Sequence, residues 1–403
     1  MKHLRTYGLV LTLALLAIQT QAQQKPAASE NKKSRTKKTC TSRDWDEVGQ
    51  ELGAAFEQLG HKLSQTLSDP DLWQDVGQEV ARAGREASRE VTRELSNLEF
   101  DGHSSHTFDD EKTKKFSKSF RLAAGDQLAI ENKFGKVHIN TWDKPETTVE
   151  VVMTARSSSD SKAQALLDRI SIVVDENKTE NEVLVKTQFE NMNNWGGGKQ
   201  SFVINYTVNM PRNNPLRIKN SFGDTYVAEL NGKSNLQCSY GNLKADRLAH
   251  NDNYVKVAFG SGRVGYCKGG EVKVSYSNLE ITESENLVIE SSFSELSIRN
   301  IQSARVKAKY GSVDMGTNGK GFKSFDIAGS FSDIDLRLPA NMGFDFDIKV
   351  SYADLDWHNS EARFTSVEKS GNSKSYVGSF GKSSAGSIRV NSRYGDVDFK
   401  LRD

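Results

Sequence analysis

Long hydrophobic runs are missing from this 403-residue chain after its first twenty positions. A helix that crosses a bilayer needs about 20 consecutive apolar residues, so no later segment is a candidate span once the leader is removed. Charge of one sign is missing too: 54 Lys and Arg stand against 53 Asp and Glu, a net charge of +1. Phosphate-driven affinity needs a basic face or a strongly basic domain, so nothing in the composition calls for a nucleic-acid partner. No glycine-rich phosphate loop follows a strand and opens a helix, and no Gly-x-Ser-x-Gly elbow occurs. Nucleotide-dependent and triad-hydrolase chemistry have no motif to rest on, and the chain reads as a non-enzyme. Cysteine is scarce and odd in number, at positions 40, 238 and 267.

What is present begins with a leader. Lys2, His3 and Arg5 form a charged start, Leu9 to Ile18 is an apolar core, and Thr20-Gln21-Ala22 supplies small residues at a cleavage position. These are the parts of a secretory signal peptide over residues 1–22. Residues 23–43 are polar and basic (Lys32, Lys33, Arg35, Lys37, Lys38) without a hydrophobic period, so they read as a flexible linker. Clustered cations of this kind are also drawn to anionic lipid or polysaccharide within a Debye length.

Residues 44–98 carry two helical stripes. Asp44 and Glu47 fit a capping box ahead of Val48, Leu52, Phe56, Leu59, Leu63 and Leu67. Asp69-Pro70 restarts the pattern for Leu72, Val76, Val80, Ala83, Ala87, Val91, Leu95 and Leu98. Trp45 to Leu52 matches Trp73 to Val80 at an offset of 28, as duplicated helices would. The spacing predicts an antiparallel helical hairpin. Its apolar stripes need cover from the rest of the chain or from a second copy, which makes a homo-oligomer through the hairpin one of two readings.

A repeat governs the remainder. Ten aromatics are each followed by Gly, Ser or Ala: Phe134, Phe222, Tyr240, Phe259, Tyr276, Phe293, Tyr310, Phe331, Tyr352 and Tyr394. From Phe222 the spacings are 18, 19, 17, 17, 17, 21, 21 and 42, the last being twice 21. The residue four before each aromatic is apolar in every copy, from Ile130 to Val390, and so is the residue five after, from Ile139 to Phe399. Inward positions are even offsets before the aromatic and odd offsets after it. A phase change in a period of two marks a bend or bulge, and the small residue is the expected place for it. Each unit then reads as strand, corner, strand, turn. Stacking units at the ~4.8 Å strand spacing puts like on like, building an aromatic column and two aliphatic columns in one continuous core.

The fold class expected is mainly β: a β-solenoid or β-helix of about ten coils of 17–21 residues with a small α/β cap, preceded by the α-helical hairpin. Tandem hairpins of a sandwich also alternate, but they do not predict one aromatic-small corner at this period. Residues 99–114 are a linker and 115–403 the solenoid domain, with an insertion at about 142–215. Inside it Thr147 to Thr154 and Ile170 to Val174 alternate like strands, and Ser161 to Ile170 suits a short helix. Asn194 to Gly198 reads as a hairpin tip, and a strand from Phe202 to Met210 leads back. Glu361 to Gly386, rich in Ser, Gly and Lys, reads as a long loop or irregular coil with a degenerate corner at Phe380-Gly381, after which the last repeat closes the chain.

Ile130-Glu131-Asn132-Lys133-Phe134-Gly135-Lys136-Val137-His138-Ile139-Asn140-Thr141-Trp142, then an insertion, then Tyr206-Thr207-Val208-Asn209-Met210-Pro211 and recurring Phe/Tyr-Gly-x-apolar corners make up the signature. Over roughly residues 115–403 it resembles the adhesin-like family of exported bacterial envelope proteins, domains of unknown function that form β-helical heads. The resemblance implies an exported β-solenoid and carries over no catalytic residues. Location in the periplasm, on the outer-membrane surface or outside the cell is what it implies.

Few residues suggest chemistry. His103 and His106 lie near Asp101, Asp109 and Asp110 in a polar linker without strong zinc spacing. Cys238 stands two before Tyr240, an inward site, and stacking could bring Cys267 near it as a disulfide. The late coils carry an acidic column in Asp333, Asp335, Asp354, Asp356, Asp396 and Asp398, with Asp314 one coil earlier. Stacked carboxylates repel, and either calcium, which takes six to eight oxygens, or neighbouring lysines and water can offset the repulsion. Three functions follow. The first is a non-catalytic envelope protein presenting a side face for adhesion or assembly to a protein or glycan of the envelope or cell surface. The second is a periplasmic scaffold or sensing module docking through the hairpin. The third is a polysaccharide-active β-helix enzyme, whose paired acids the column supplies without an evident base.

Overall fold

A computed structural model describes residues 110–177, 181–190, 200–357, 362–381 and 386–402. The leader, basic linker and helical hairpin, Cys40, His103, His106 and the Asn194–Gly198 tip lie outside the described residues. Among the described residues no helix is long and apolar enough to cross a membrane.

The chain runs through β1 (Asp110–Arg121), β2 (Gln127–Lys133), β3 (Val137–Trp142), β4 (Glu146–Ser157), α1 (Asp160–Leu167), β5 (Ile170–Asn177), β6 (Glu182–Phe189) and β7 (Gln200–Pro211). Then come β8 (Leu216–Ser221), β9 (Thr225–Leu230), β10 (Ser234–Ser239), β11 (Asn242–Leu248), β12 (Asn253–Ala258), β13 (Ser261–Ser275), β14 (Asn278–Ser292), β15 (Glu295–Gly316) and β16 (Ser324–Pro339). The last are β17 (Phe344–Ser351), β18 (Leu355–Trp357), β19 (Arg363–Ser370), β20 (Ser373–Phe380), β21 (Ser387–Arg393) and β22 (Val397–Arg402).

Two ladders result, one on each side of the corners. Ladder A holds the strands before the aromatics, in the order β5, β6, β2, β8, β10, β12, successive parts of β13 to β16, β21, β17, β20, β19. Ladder B holds the strands after them: β1, β4, β7, β3, β9, β11, the following parts of β13 to β16, β22, β18. Pairing is parallel in the body of both ladders and turns antiparallel at the ends, in β1–β4–β7 and β5–β6 at one and β17–β20–β19 at the other. The protein is mainly β, an open solenoid. All ten residues four before a corner are buried, as are nine of the ten five after it; Trp357 is half-buried.

The corners differ from expectation in where they bend. Each of the ten aromatics has φ between 50° and 64°, the left-handed region. That conformation costs about 1–2 kcal/mol for a residue with a Cβ. In return each ring lies flat on the next, with centroids 4.7–5.2 Å apart from Phe134 to Tyr352. Flat, offset rings are worth about 0.5–1.5 kcal/mol per pair beyond their burial. The small residue that follows serves clearance instead. A Cβ on Gly241 would fall 2.2 Å from the Gly223 carbonyl oxygen, and one on Gly223 would fall 2.1 Å from that of Gly135. Rings in the middle of the column also leave the main core: Phe259, Tyr276, Phe293 and Tyr310 form a second cluster with Ala258, whereas Phe134 packs on the main core. A left-handed residue points its side chain away from the face its neighbours bury, which is why one continuous core was the wrong expectation.

Spatial order departs from chain order at the far end. Tyr394 stacks on Phe331 at 4.7 Å and on Tyr352 at 4.9 Å, so the last repeat is inserted between two earlier ones. β21 pairs with β16 on one side and β17 on the other, and β22 with β16 and β18. The stretch read as a loop or degenerate coil is instead a hairpin, β19 and β20, added antiparallel to β17. Phe380 ends β20 against Phe344 at 5.4 Å rather than joining the ring column.

At the near end the inserted segment supplies β4, α1, β5, β6 and β7. Phe189 and Phe202 meet Phe134 edge-on, at 6.1 and 5.3 Å, and terminate the ring stack. Beneath them Asn132 donates to the carbonyls of Gly135 and Ile204 and accepts from Thr187, which also meets the Tyr206 hydroxyl at 2.7 Å. Asn220, two before its own corner, donates to the carbonyls of Gly135 and Gly223 at 3.1 and 3.0 Å. Polar residues at this inward site thus satisfy corner carbonyls that the ladders leave over.

Cys238 and Cys267 are separate free thiols, both buried. The register sets Cys238 between Asn220 and Val257 in ladder A, and Cys267 between Leu248 and Ser284 in ladder B, so the disulfide expected from stacking does not form. Burial pushes the thiols up to about 12 and about 11. In a Cys40→Ser variant at pH 8 we therefore expect a thiol reagent to find no reactive group in native protein and two after denaturation, measured by absorbance. Rapid native labelling would contradict this packing.

Candidate interaction face

The residues two and four after each corner point outward from ladder B and stand in two rows. In spatial order the outer row of fourth positions runs His138, Tyr226, Lys244, Arg263, Glu280, Ser297, Asp314, Asp335, Asp398, Asp356. It changes along its length from aromatic and cationic to acidic. His138 and Tyr226 rings lie 4.5 Å apart, and the Lys244 ammonium sits 5.4 Å over the Tyr226 ring. Arg263 reaches Glu280 at 3.1 Å, and Arg299 approaches the same carboxylate at 3.6 Å.

Between the two rows, from the coil of Tyr240 to that of Tyr310, lies a groove of about 600 Å³ lined by Asn242, Lys244, Ser261, Arg263, Asn278, Glu280, Glu295, Ser297, Ser312 and Asp314. Between the rows run Leu243, Gly262, Leu279 and Leu296, whose leucine side chains turn into the core on the other side of the ladder. Amides, hydroxyls and both charge signs repeat there at the strand spacing. Such a surface can accept an extended polymer by hydrogen bonds at regular intervals. Burial raises the Asp314 carboxyl, opposed by the Arg337 guanidinium beside it and reinforced by Asp335.

The acidic column is held by donors that the sequence did not disclose. In the row two after the corner, the Asp396 amide donates to Asp333 at 3.2 Å and the Asp354 amide to Asp396 at 2.9 Å. Asp224 accepts the Asn242 amide in the same way at 3.0 Å. Asp224, Asp333 and Asp396 thus each cap an N–H of the next coil, a use the residue type permits but spacing alone does not reveal. In the outer row Lys400 bridges Asp335 and Asp398, both at 2.7 Å, and Arg337 pairs with Asp314. Lys374, from β20, reaches Asp354 at 2.7 Å. Asp356, the sixth member, is exposed at the end of the row. Among the described residues no group of three or more His, Cys, Asp or Glu is arranged to hold a metal ion. We expect melting temperature, followed by circular dichroism, to be the same in millimolar calcium and in chelator. Asp396→Ala should instead lower stability by about 1 kcal/mol through the lost cap. A calcium-dependent rise of several degrees would reassign the column.

Comparison with family models identifies the family. The family model described as Toastrack DUF4097 matches residues 125–400. Among solved structures, a candidate cell adhesion protein from Clostridium sporogenes is 14% identical, covering 72% of this chain and 100% of its own, with a TM-score of 0.19. A candidate adhesin from Bacteroides fragilis is 11% identical, covering 71% and 97%, with a TM-score of 0.31. A candidate lipid binding protein from Parabacteroides distasonis is 10% identical, covering 71% and 96%, with a TM-score of 0.30. No curated protein matches the chain.

Proposed function

This chain belongs to the Toastrack DUF4097 family, and on that footing we propose that it is a non-catalytic, exported protein of the cell envelope whose solenoid presents the outer face of ladder B for adhesion. The partner is a protein or glycan of the envelope or cell surface. The observation that carries this reading is the groove of about 600 Å³ running across successive rungs between two rows of polar and charged side chains. A repeating ligand finds repeating contacts there, each weak and collectively strong. The leader read from residues 1–22 supports export. A binding role is favoured over catalysis because the stacked acids accept amide N–H groups and lysines of neighbouring coils rather than facing one another across a cleft.

Protease shaving of intact cells, with an antibody to the solenoid and a periplasmic control, tests the reading. Loss of the solenoid signal while the control survives is the expected result. Protection until the outer membrane is opened would overturn it in favour of a periplasmic scaffold that docks through residues 44–98. On purified chain, Arg263→Ala with Glu280→Ala should weaken binding to isolated envelope glycan or surface protein while leaving melting unchanged.

A further inference from the structure

A chain with a net charge of only +1 has sorted its charge by face. The residues one, three and five before each corner point outward from ladder A and stand in three rows. Across the six coils from Phe222 to Tyr310 these rows hold seven cations against two carboxylates, Glu271 and Glu290. Over the same coils the two outward rows of ladder B hold four carboxylates and two cations.

Part of this charge is engaged within the chain. At the two ends of the stretch Arg217 reaches Glu131 at 3.1 Å and Glu182 at 2.8 Å, and Arg305 reaches Asp326 at 3.4 Å, all carboxylates of flanking strands. Lys273 holds Glu271 at 3.0 Å and Glu290 at 3.4 Å, so both carboxylates inside the stretch have a partner. Lys219, Lys256 and Lys307 form no ion pair among the described residues. These three stand in one row, three before the corner, on β8, β12 and β15. At ~4.8 Å per strand they are separated by about 10 and about 14 Å along a line across the strands. The row beside them, one before the corner, carries Ser221, Ser239, Ser275 and Ser292. Ladder B differs in this respect, because its aspartates take up lysines and amide N–H groups of neighbouring coils.

Unpaired cations in a straight line across successive strands match anionic groups on a linear carrier. We propose that this row of ladder A binds an acidic polysaccharide laid along the solenoid axis, with carboxylates on Lys219, Lys256 and Lys307 and sugar hydroxyls on the serine row. Such a polymer repeats its carboxylates along one line. Each exposed pair is weak, and the set acts together because the carrier is continuous. A bilayer is a poorer match. Val288, at 42%, is the one exposed large apolar side chain among the outward residues of this stretch, whereas binding to a lipid surface combines charge with apolar burial. A plane of anionic headgroups would also face Glu271 and Glu290, which a single polymer chain on the lysine row can pass to one side. The row lies on the other ladder from the groove, and neither site requires the other.

Titration calorimetry of the full chain with sodium polygalacturonate is the test, with dextran as the uncharged control. The expected result is binding to polygalacturonate and none to dextran, with affinity falling roughly tenfold or more between 50 and 500 mM NaCl. The variant Lys219→Gln with Lys256→Gln and Lys307→Gln should bind about tenfold more weakly, the sum of three exposed pairs. Removing the same charge from β1, by Lys112→Gln with Lys114→Gln and Lys115→Gln, should leave affinity within about twofold of the parent, since single exposed charges off the site contribute only through screened, long-range attraction. Circular dichroism melts that match the parent show that both variants fold. A parent chain that does not bind, or a ladder A variant that binds as well as the parent, would overturn the proposal. Equal losses in the two variants would do so as well, by reducing the effect to unspecific attraction. So would tighter binding to phosphatidylglycerol vesicles than to polygalacturonate, which would make the face a lipid surface instead.

Discussion

Ending the chain after Ala385 is expected to remove cooperative unfolding of the far third of the solenoid, not merely to shorten it. β21 and β22 are the strands that join β16 to β17 and β18. Their loss takes Ile388, Val390, Tyr394, Val397 and Phe399 out of the core, all at most 7% exposed. At about 1.5–3 kcal/mol for each large side chain, the deficit is on the order of 10 kcal/mol, comparable to the whole stability of an ordinary domain. It also leaves two apolar faces open instead of one, because the missing coil was internal. Limited proteolysis should cut the truncated protein first between residues 340 and 381, and its thermal transition should broaden or vanish. Unchanged melting would mean that the inserted coil is not the link the pairing describes.

Gly241→Ala is expected to destabilise the protein by more than about 3 kcal/mol, whereas Gly262→Ala should cost about 1 kcal/mol. Gly241 is half-buried at a corner and Gly262 is buried inside β13 of the neighbouring coil, so burial alone would predict the reverse order. What separates them is the obstacle. A Cβ at position 241 meets the Gly223 backbone, at 2.2 Å from its oxygen and 2.6 Å from its carbon. At position 262 it meets the end of a side chain, Leu279 Cδ1 at 2.5 Å, which can rotate aside. Serine succeeds at other corners because its hydroxyl is used: Ser277 Oγ donates to the Ser275 carbonyl at 2.9 Å and accepts the Gly260 amide at 3.2 Å. Urea unfolding of the two variants measures the difference, and equal losses would refute the close approach of corner backbones.

The sequence disclosed the ladders because stacking repeats one environment many times. Ile130, Ile218 and Leu236 occupy the same buried column and therefore look alike at a fixed offset, and the ten corners announce themselves by the same logic. Two things stayed hidden. The aromatic takes the left-handed conformation, yet statistics of φ assign such bends to the glycine beside it, and only the parallel rings explain the exchange. Order in space was hidden too, since an interval of 42 between Tyr352 and Tyr394 reads as one skipped coil, and β19 conceals its alternation with a bulge between Phe364 and Ser366. On the candidate face, the column of aspartates was visible by residue type. Its backbone donors were not, because an N–H has no letter in a sequence.

Inserting the last repeat between two earlier ones also sets a schedule for manufacture. The coil of Tyr352 leaves the ribosome before the strands that will join it to the coil of Phe331 have been made. At about 5–20 residues per second, the 42 residues from Tyr352 to Tyr394 take about 2–8 s to synthesise. During that interval the edges of β16 and β17 must be kept from pairing with each other or with another molecule. A chain that stops inside this window is left with two open strand edges, those of β16 and β17.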